Sequence, residues 1–150
     1  MNEVRDVSGK KVRVYIAGPM ESAGGNWNIP LFDFVAKKLR ALDCEVFSPA
    51  EHLRDSFEML ENVLALSKER RKFARNTALK DEINWIIDHA ELVLLLPGWE
   101  KSPGATAERA IALACGKTVR ETGNIILPAS GGDIVLDPDL IKLDPPAPAA

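Results

Sequence analysis

The sequence predicts an α/β fold built around an open, mostly parallel sheet. Short β-branched or apolar runs alternate along the chain with longer amphipathic segments, which is typical of this class. The first strand, glycine-rich turn, helix and second strand fit within residues 12–48, as expected for a parallel βαβ unit. Residues 92–96 are all leucine or valine, a pattern that indicates a strand buried on both faces.

The first βαβ unit is delimited by clear local signals. The first strand is predicted at Val12–Ala17, where β-branched residues are followed by Gly-Pro. A helix is expected to begin at Asn28 or Pro30, because apolar residues then recur at helical spacing until Asp43 closes the helix. The second strand, Cys44–Ser48, is short and ends at a proline.

The middle of the chain is predicted to be helical. Residues 50–76 carry many charges and have apolar residues at helical spacing, which is typical of a helix with a solvated face. A separate helix is expected from Asn76 or Thr77 to His89. Its core side is expected to carry Leu79, Ile83, Ile86 and Ile87.

The remaining elements follow the buried strand. An alanine-rich helix is predicted at Gly104–Cys115, and Thr118–Val119 and Ile125–Leu127 are candidate strands. The predicted domain comprises residues 1–127. Residues 128–150 are expected to form a C-terminal extension whose proline- and alanine-rich end is disordered.

Composition excludes several classes of function. A chain of 150 residues that is 46% hydrophobic predicts one packed globular domain. The net charge of −3 gives no basic surface for a nucleic-acid polymer or an anionic membrane. Two cysteines without CxxC spacing, and an N-terminus too polar for a signal peptide, predict a cytoplasmic protein without a structural metal site.

Two loops are candidates for ligand binding, because open α/β sheets bind ligands at the carboxyl ends of their strands. The first loop, residues 18–28, carries Gly18, Gly24, Gly25 and Asn26. Glycines let backbone N–H groups approach an anion, and the following helix contributes its positive end. A glycine pair by itself more often marks a plain turn.

The second loop, residues 97–108, carries a serine and a glutamate of interest. Ser102 lies where a helix should begin, so it is either an N-cap or an anion ligand. Glu108 lies one turn into that helix, where a carboxylate is expected to stay ionised and can attack a sugar C1′. The plain alternative is a surface glutamate paired with Lys101 or Arg109.

Other polar and aromatic side chains allow two interpretations each. Asp81 either faces solvent beside Lys80 or reaches the cleft as a proton donor or acceptor. Trp85 and Trp99 can stack on a base, although a core position is the commoner role for Trp85. The two histidines, His52 and His89, show no metal-ligand spacing.

Three segments in this order resemble a known family. They are Tyr-Ile-Ala-Gly-Pro-Met at residues 15–20, Leu-Lys-Asp-Glu-Ile around Asp81, and Leu-Leu-Leu-Pro-Gly-Trp-Glu-Lys-Ser-Pro-Gly-Ala-Thr-Ala-Glu ending at Glu108. Over residues 12–119 the chain resembles the nucleoside 2-deoxyribosyltransferase superfamily, particularly its 2′-deoxynucleoside 5′-phosphate N-hydrolase-like members. The resemblance implies a flavodoxin-like, five-stranded parallel sheet with helices on both faces, a three-layer α/β/α arrangement.

The resemblance also implies roles for individual residues. Glu108 would attack C1′, Asp81 would assist as acid or base or orient the sugar, and Tyr15 would position the nucleophile. Ser102 stands six residues before Glu108, where family members that act on nucleotides carry a serine and transferases carry an acidic residue. The arginine usual in the first loop is missing. The remaining substrate contacts would come from Gly18, Gly24, Gly25, Asn26, Gly104 and Trp99.

The expected function is therefore hydrolysis of the N-glycosidic bond of a nucleoside 5′-monophosphate through a covalent intermediate on Glu108. Two alternatives stay open: a transferase that moves deoxyribose between bases, and a nucleotide-binding sensor without turnover. No cofactor is implied. The resemblance implies a homodimer or larger even assembly with shared active sites, and a small-molecule nucleotide as the partner rather than a nucleic acid or a membrane.

Overall fold

The computed structural model describes residues 9–20, 28–52, 68–123 and 136–145, with side chains from residue 75 onward in the third range. The strands are β1 (Arg13–Ala17), β2 (Glu45–Phe47), β3 (Leu92–Leu95) and β4 (Thr118–Glu121). The helices are α1 (Ile29–Ala41), α2 (Lys68–Asp88) and α3 (Pro103–Ala114), with short 3-10 turns at Trp99–Lys101 and Pro138–Ile141.

The four strands form one parallel sheet in the order β2-β1-β3-β4. This confirms the predicted α/β fold with a parallel sheet. The chain passes from β1 to β2 on one side and then returns to β3 on the other side of β1. A topological switch point therefore lies between β1 and β3, where α/β sheets open a crevice. The predicted fifth strand, Ile125–Leu127, lies outside the described residues.

Helices pack on both faces of this sheet because successive side chains of a strand point to opposite sides. One core combines alternate residues of β1 and β3 with α1; its fully buried members include Val14, Ile16, Phe32, Leu39, Leu92 and Leu94. The second core lies under α2 and α3 and contains Tyr15, Ala17, Ile86, Val93, Leu95, Ala105 and Ala112. Among the described helices, none is long and apolar enough to cross a membrane.

The start of α2 differs from the sequence prediction. One helix runs from Lys68 to Asp88, so Asn76 and Thr77 lie in its interior rather than at its N-terminus. Residues 68–76 contain neither proline nor glycine, so no helix breaker separates the charged stretch from the apolar one. Ile87, expected on the core side, is 43% exposed, because it points about 100° away from its buried neighbour Ile86.

Part of the expected C-terminal extension packs on the domain. Leu136 and Ile141 are buried in the core on the α1 side of the sheet. The backbone N–H of Asp144 donates to Thr118 Oγ1 of β4 at 2.9 Å, and the Arg120 guanidinium donates to the Lys142 carbonyl at 2.9 Å. Residues 136–145 therefore contribute to the same core as residues 12–121.

Gly18 permits the close approach of two strand ends at the switch point. A Cβ atom at this position would lie 2.8 Å from Leu96 Cβ, a distance at which the backbone or the leucine must shift. Both residues are buried. The glycine is therefore a packing requirement of the β1–β3 junction.

We expect Gly18→Ala to lower the free energy of unfolding by about 1–3 kcal/mol, as is usual when a methyl group is forced into a packed core. Urea unfolding of the full-length chain measures this. Gly104→Ala is the matched control, because the nearest atom to its new Cβ, Ser102 Oγ, is 3.9 Å away. A Gly18→Ala protein as stable as the Gly104→Ala protein would contradict the steric argument.

Candidate active site

The candidate site is built around a buried hydrogen bond between the sheet and α3. Tyr15 is the central residue of β1 and has no exposed surface, and Glu108 is 4% exposed. The Tyr15 hydroxyl donates to Glu108 Oε2. The structure therefore brings together two of the three predicted catalytic residues, on the sheet face that α2 and α3 cover.

Local sequence explains why Glu108 points inward. Ser102 is the N-cap of α3, and its Oγ accepts a hydrogen bond from the Ala105 N–H at 3.2 Å. Pro103 follows at the first helical position, which its fixed φ favours. The buried residues of α3 are Ala105, Glu108 and Ala112, and their spacing places them on one helix face. Small alanines on that face let the helix approach the sheet closely around the glutamate.

The environment of Glu108 favours its neutral form. Burial raises the pKa of Glu108 well above its ordinary value, the charge of Glu82 raises it further, and the hydrogen bond from Tyr15 acts in the opposite direction. Burial likewise raises the pKa of Tyr15 well above its ordinary value, with added contributions from Glu108 and Glu82. Tyr15 is therefore a neutral hydrogen-bond donor.

Two expectations for Glu108 were wrong. The helix N-terminus does not hold the carboxyl in its ionised form, because desolvation outweighs the attraction of the helix dipole. The side chain is also not a surface carboxylate paired with Arg109 or Lys101. The Arg109 guanidinium instead lies 5.1 Å from the centre of the Trp99 ring, on a different side of α3.

Glu82 is a further candidate site residue, which the sequence did not single out. It lies on α2, and burial followed by the charge of Asp81 raises the pKa of Glu82 to about 7. Its own charge raises the pKa of both Glu108 and Tyr15. Its position in the helix could have identified it, because Glu82 is four residues before the buried Ile86 and therefore lies on the same helix face.

Asp81 lies apart from this cluster, and its predicted role as an acid, a base or a sugar-orienting residue stays a prediction. Its side chain is 56% exposed, and its Oδ2 lies 3.4 Å from His52 Nε2. Successive helix residues point about 100° apart, so a helix that turns Glu82 inward turns Asp81 toward solvent. Asp81 affects the site through its negative charge, which raises the pKa of Glu82.

An aromatic cluster borders the Tyr15–Glu108 pair. The Tyr15 and Phe47 rings are stacked with their centroids 5.4 Å apart, and the Trp85 ring lies 5.3 Å from Phe47 and 6.4 Å from Tyr15. The His52 ring lies 5.3 Å from Phe47 on another side. These rings fix the Tyr15 side chain and lower the polarity around the two carboxyls.

The loop between β3 and α3 is held by Trp99. Its indole N–H donates to Glu121 at 2.7 Å, which ties the loop to the end of β4. Trp99 therefore contacts protein partners, and its predicted contact with substrate stays a prediction. A pocket of about 240 Å³ lies beside this loop and is lined by Leu95, Leu96, Pro97, Gly98, Trp99, Glu100, Glu121 and Gly123.

The other predicted ligand contacts are distributed around the switch point. Gly18 follows β1, and Ser102 and Gly104 lie at the start of α3, the helix that carries Glu108. Gly24, Gly25 and Asn26 lie outside the described residues. Within the described ranges, no group of three or more histidine, cysteine, aspartate or glutamate side chains is arranged to hold a metal ion.

The family model described as "Domain of unknown function (DUF4406)" matches residues 12–121, which include every strand and helix from β1 to β4. The chain belongs to the DUF4406 family. A comparison with curated proteins gave no match. Both Tyr15 and Glu108, together with Glu82, lie within the DUF4406 domain. The buried pair therefore lies in the part of the chain that the family model matches.

The raised pKa of Glu82 predicts an unusual pH dependence of stability. A carboxyl whose pKa rises from 4.5 to about 7 on folding stabilises the folded state fully below pH 4.5, and this contribution is lost as the pH rises to about 7. Glu82→Gln should flatten this part of the stability profile, measured by urea unfolding across that pH range. Glu45→Gln, on an exposed residue of β2, is the control. Parallel profiles for wild type and Glu82→Gln would contradict the assignment.

Proposed function

We propose that this DUF4406 protein hydrolyses the N-glycosidic bond of a nucleoside 5′-monophosphate, with Glu108 as the nucleophile. The observation that carries the proposal is the buried Tyr15–Glu108 hydrogen bond with Glu82 close enough to raise the pKa of both groups. Enzymes that break a glycosidic bond through a covalent intermediate usually use two neighbouring carboxyls. Burying them costs folding energy, and strongly perturbed pKa values concentrate at functional sites.

In the first step, a Glu108 carboxylate oxygen attacks C1′ and forms a glycosyl ester as the C1′–N bond breaks. The electron pair of that bond leaves with the base, which takes a proton from Glu82. A carboxylic acid with a pKa of about 7 suits this transfer at neutral pH, because a general acid works best when its pKa lies near the working pH. The attack requires the form in which Glu108 is ionised and Glu82 holds the proton; burial of Glu108 disfavours this form, and the hydrogen bond from Tyr15 favours it.

In the second step, water attacks C1′ of the glycosyl ester and Glu82 accepts its proton. The ester bond breaks, which returns Glu108 as a carboxylate and releases the sugar 5-phosphate. Two displacements at C1′ retain the configuration of the sugar. A second base in place of water would give the transferase reaction, so competition by added free base distinguishes the two enzymes.

The start of α3 supports a phosphorylated substrate. Ser102 carries no charge, and its hydroxyl accepts from Ala105 while keeping a proton to donate. A helix N-terminus attracts anions, and this one belongs to the same helix as Glu108. A carboxylate in place of Ser102 would repel a phosphate. We therefore assign the 5′-phosphate to this end of α3.

The finer architecture belongs to the same proposal. The observed order β2-β1-β3-β4 corresponds to the first four positions of the flavodoxin-like order 2-1-3-4-5. A fifth strand at 125–127 and a homodimer with shared active sites stay predictions of the family resemblance.

Glu108→Gln should abolish base release while leaving the fold intact. The amide keeps the shape of the side chain and an oxygen that accepts from Tyr15, but it cannot form the glycosyl ester. We expect kcat to fall by at least about a thousandfold, as is usual when a covalent nucleophile is removed. Base release from a panel of nucleoside monophosphates and free nucleosides, followed by chromatography, measures this, with Glu45→Gln as the exposed matched control.

A Glu108→Gln protein with more than about a tenth of wild-type activity would overturn the nucleophile assignment. A 2′-fluoro nucleotide analogue should add one glycosyl mass to the wild-type peptide that contains Glu108, and none to the variant. If wild type releases no base from any substrate yet binds nucleotides in calorimetry, the nucleotide-binding alternative replaces the enzyme.

Substitutions at Ser102 separate phosphate recognition from helix capping. Ser102→Ala removes both the cap and the phosphate donor, and should lower kcat/KM for the monophosphate by roughly tenfold to a hundredfold. Ser102→Asp keeps an N-cap acceptor but adds a repelling charge, so it should lower that constant further. The measurement is the ratio of kcat/KM for a 5′-monophosphate to kcat/KM for its free nucleoside, in wild type and in both variants. If wild type prefers the free nucleoside, the phosphate assignment is wrong.

A further inference from the structure

His52 and Asp81 lie within ion-pair distance of each other beside the proposed site. His52 belongs to the helical residues 49–52 after β2, Asp81 lies on α2, and the distance between Nε2 and Oδ2 is 3.4 Å. The His52 side chain is 20% exposed, and its ring lies 5.3 Å from that of Phe47. The pair therefore links the turn after β2 to the helix that carries Glu82, along the edge of the aromatic cluster.

The charge of Asp81 acts directly on Glu82. Asp81 precedes Glu82 in α2, and its negative charge favours the protonated form of that carboxyl. Glu108 of α3 and Tyr15 of β1 also interact with Glu82. These two belong to the proposed reaction itself. Asp81 does not: its side chain is largely exposed, and its described ionic partner is a histidine.

We infer that the His52–Asp81 pair is a positioning element that sets how readily Glu82 gives up its proton. This role rests on the proposed function, in which Glu82 transfers the proton to the base. Asp81 holds the proton on Glu82 by repelling a second negative charge. His52 limits that effect when it is protonated, because its positive charge then offsets the negative charge of the aspartate 3.4 Å away. Neither residue contacts the reacting atoms.

Because His52 acts through Asp81, the variants have opposite signs. Asp81→Asn removes the negative charge, so the proton dissociation constant of Glu82 should increase by roughly threefold to tenfold, as expected for a nearby unit charge in a hydrated setting. His52→Gln leaves Asp81 uncompensated, so the constant should decrease. The double variant should match Asp81→Asn alone, since His52 has no charge left to offset.

Carbon-13 NMR of the glutamate side-chain carboxyls in the full-length protein measures the ionisation of Glu82 without substrate. Glu82→Gln assigns the resonance, and Glu108→Gln separates the titration of the second carboxyl from it. Opposite shifts in the two single variants, with the double variant following Asp81→Asn, support the pair. Shifts of the same sign, or none, overturn it, because a merely structural disturbance predicts no sign reversal.

The pH profile of base release tests the link to the reaction. In Asp81→Asn the arm of the profile set by the acid should move to lower pH, and in His52→Gln to higher pH. Opposite NMR shifts without any base release would sustain the pair and refute the proposed function. If the protein releases base but neither variant shifts the titration of the Glu82 resonance, the proposed function is supported and the role of the pair is refuted.

Discussion

Strand β1 imposes the constraint on which both cores and the site depend. It is hydrogen-bonded to β2 on one side and to β3 on the other, and every residue from Val14 to Ala17 is buried. Its side chains alternate between two cores, so Val14 and Ile16 face α1 while Tyr15 faces α2 and α3. A hydroxyl at the centre of such a strand requires a partner, because a buried polar group without a hydrogen bond is costly. Glu108 is that partner.

The two carboxyls beside Tyr15 make this arrangement costly for folding and suited to chemistry. Burial disfavours the charged form of Glu108 and of Glu82, and the charge of Glu82 further disfavours the charged form of Glu108. The pair therefore tends to hold a proton at neutral pH, and its titration belongs to both groups together. Apolar residues of the same size would pack here without that penalty. The retained polar cluster is the strongest indication that this face of the sheet has a chemical function.

Much of the fold could be predicted because local signals agree with it. The all-apolar run of β3 and the Gly-Pro stop after β1 locate both central strands to within one residue, and Ser-Pro locates the start of α3. The start of α2 could not be predicted in the same way. Its first turns are highly charged, and charge alone does not distinguish a helix that continues from one that begins later. The C-terminal contacts of Leu136 and Ile141 depend on long-range packing that no local pattern reveals.

The site shows the limit of sequence reasoning at the level of a single residue. Asp81 and Glu82 are adjacent carboxylates, and a rotation of about 100° decides which one turns toward the sheet. Trp85 and Ile86 pack against residues of β1 and α3. This packing fixes the rotation of α2 and thereby turns Glu82, rather than Asp81, toward the site. Asp81 still acts on Glu82 through its negative charge, and it lies 3.4 Å from His52. One turn of α2 thus supplies an inward acid and an outward charge that acts on it, so the chemistry of this face depends on the rotation of the helix as much as on the identity of its residues.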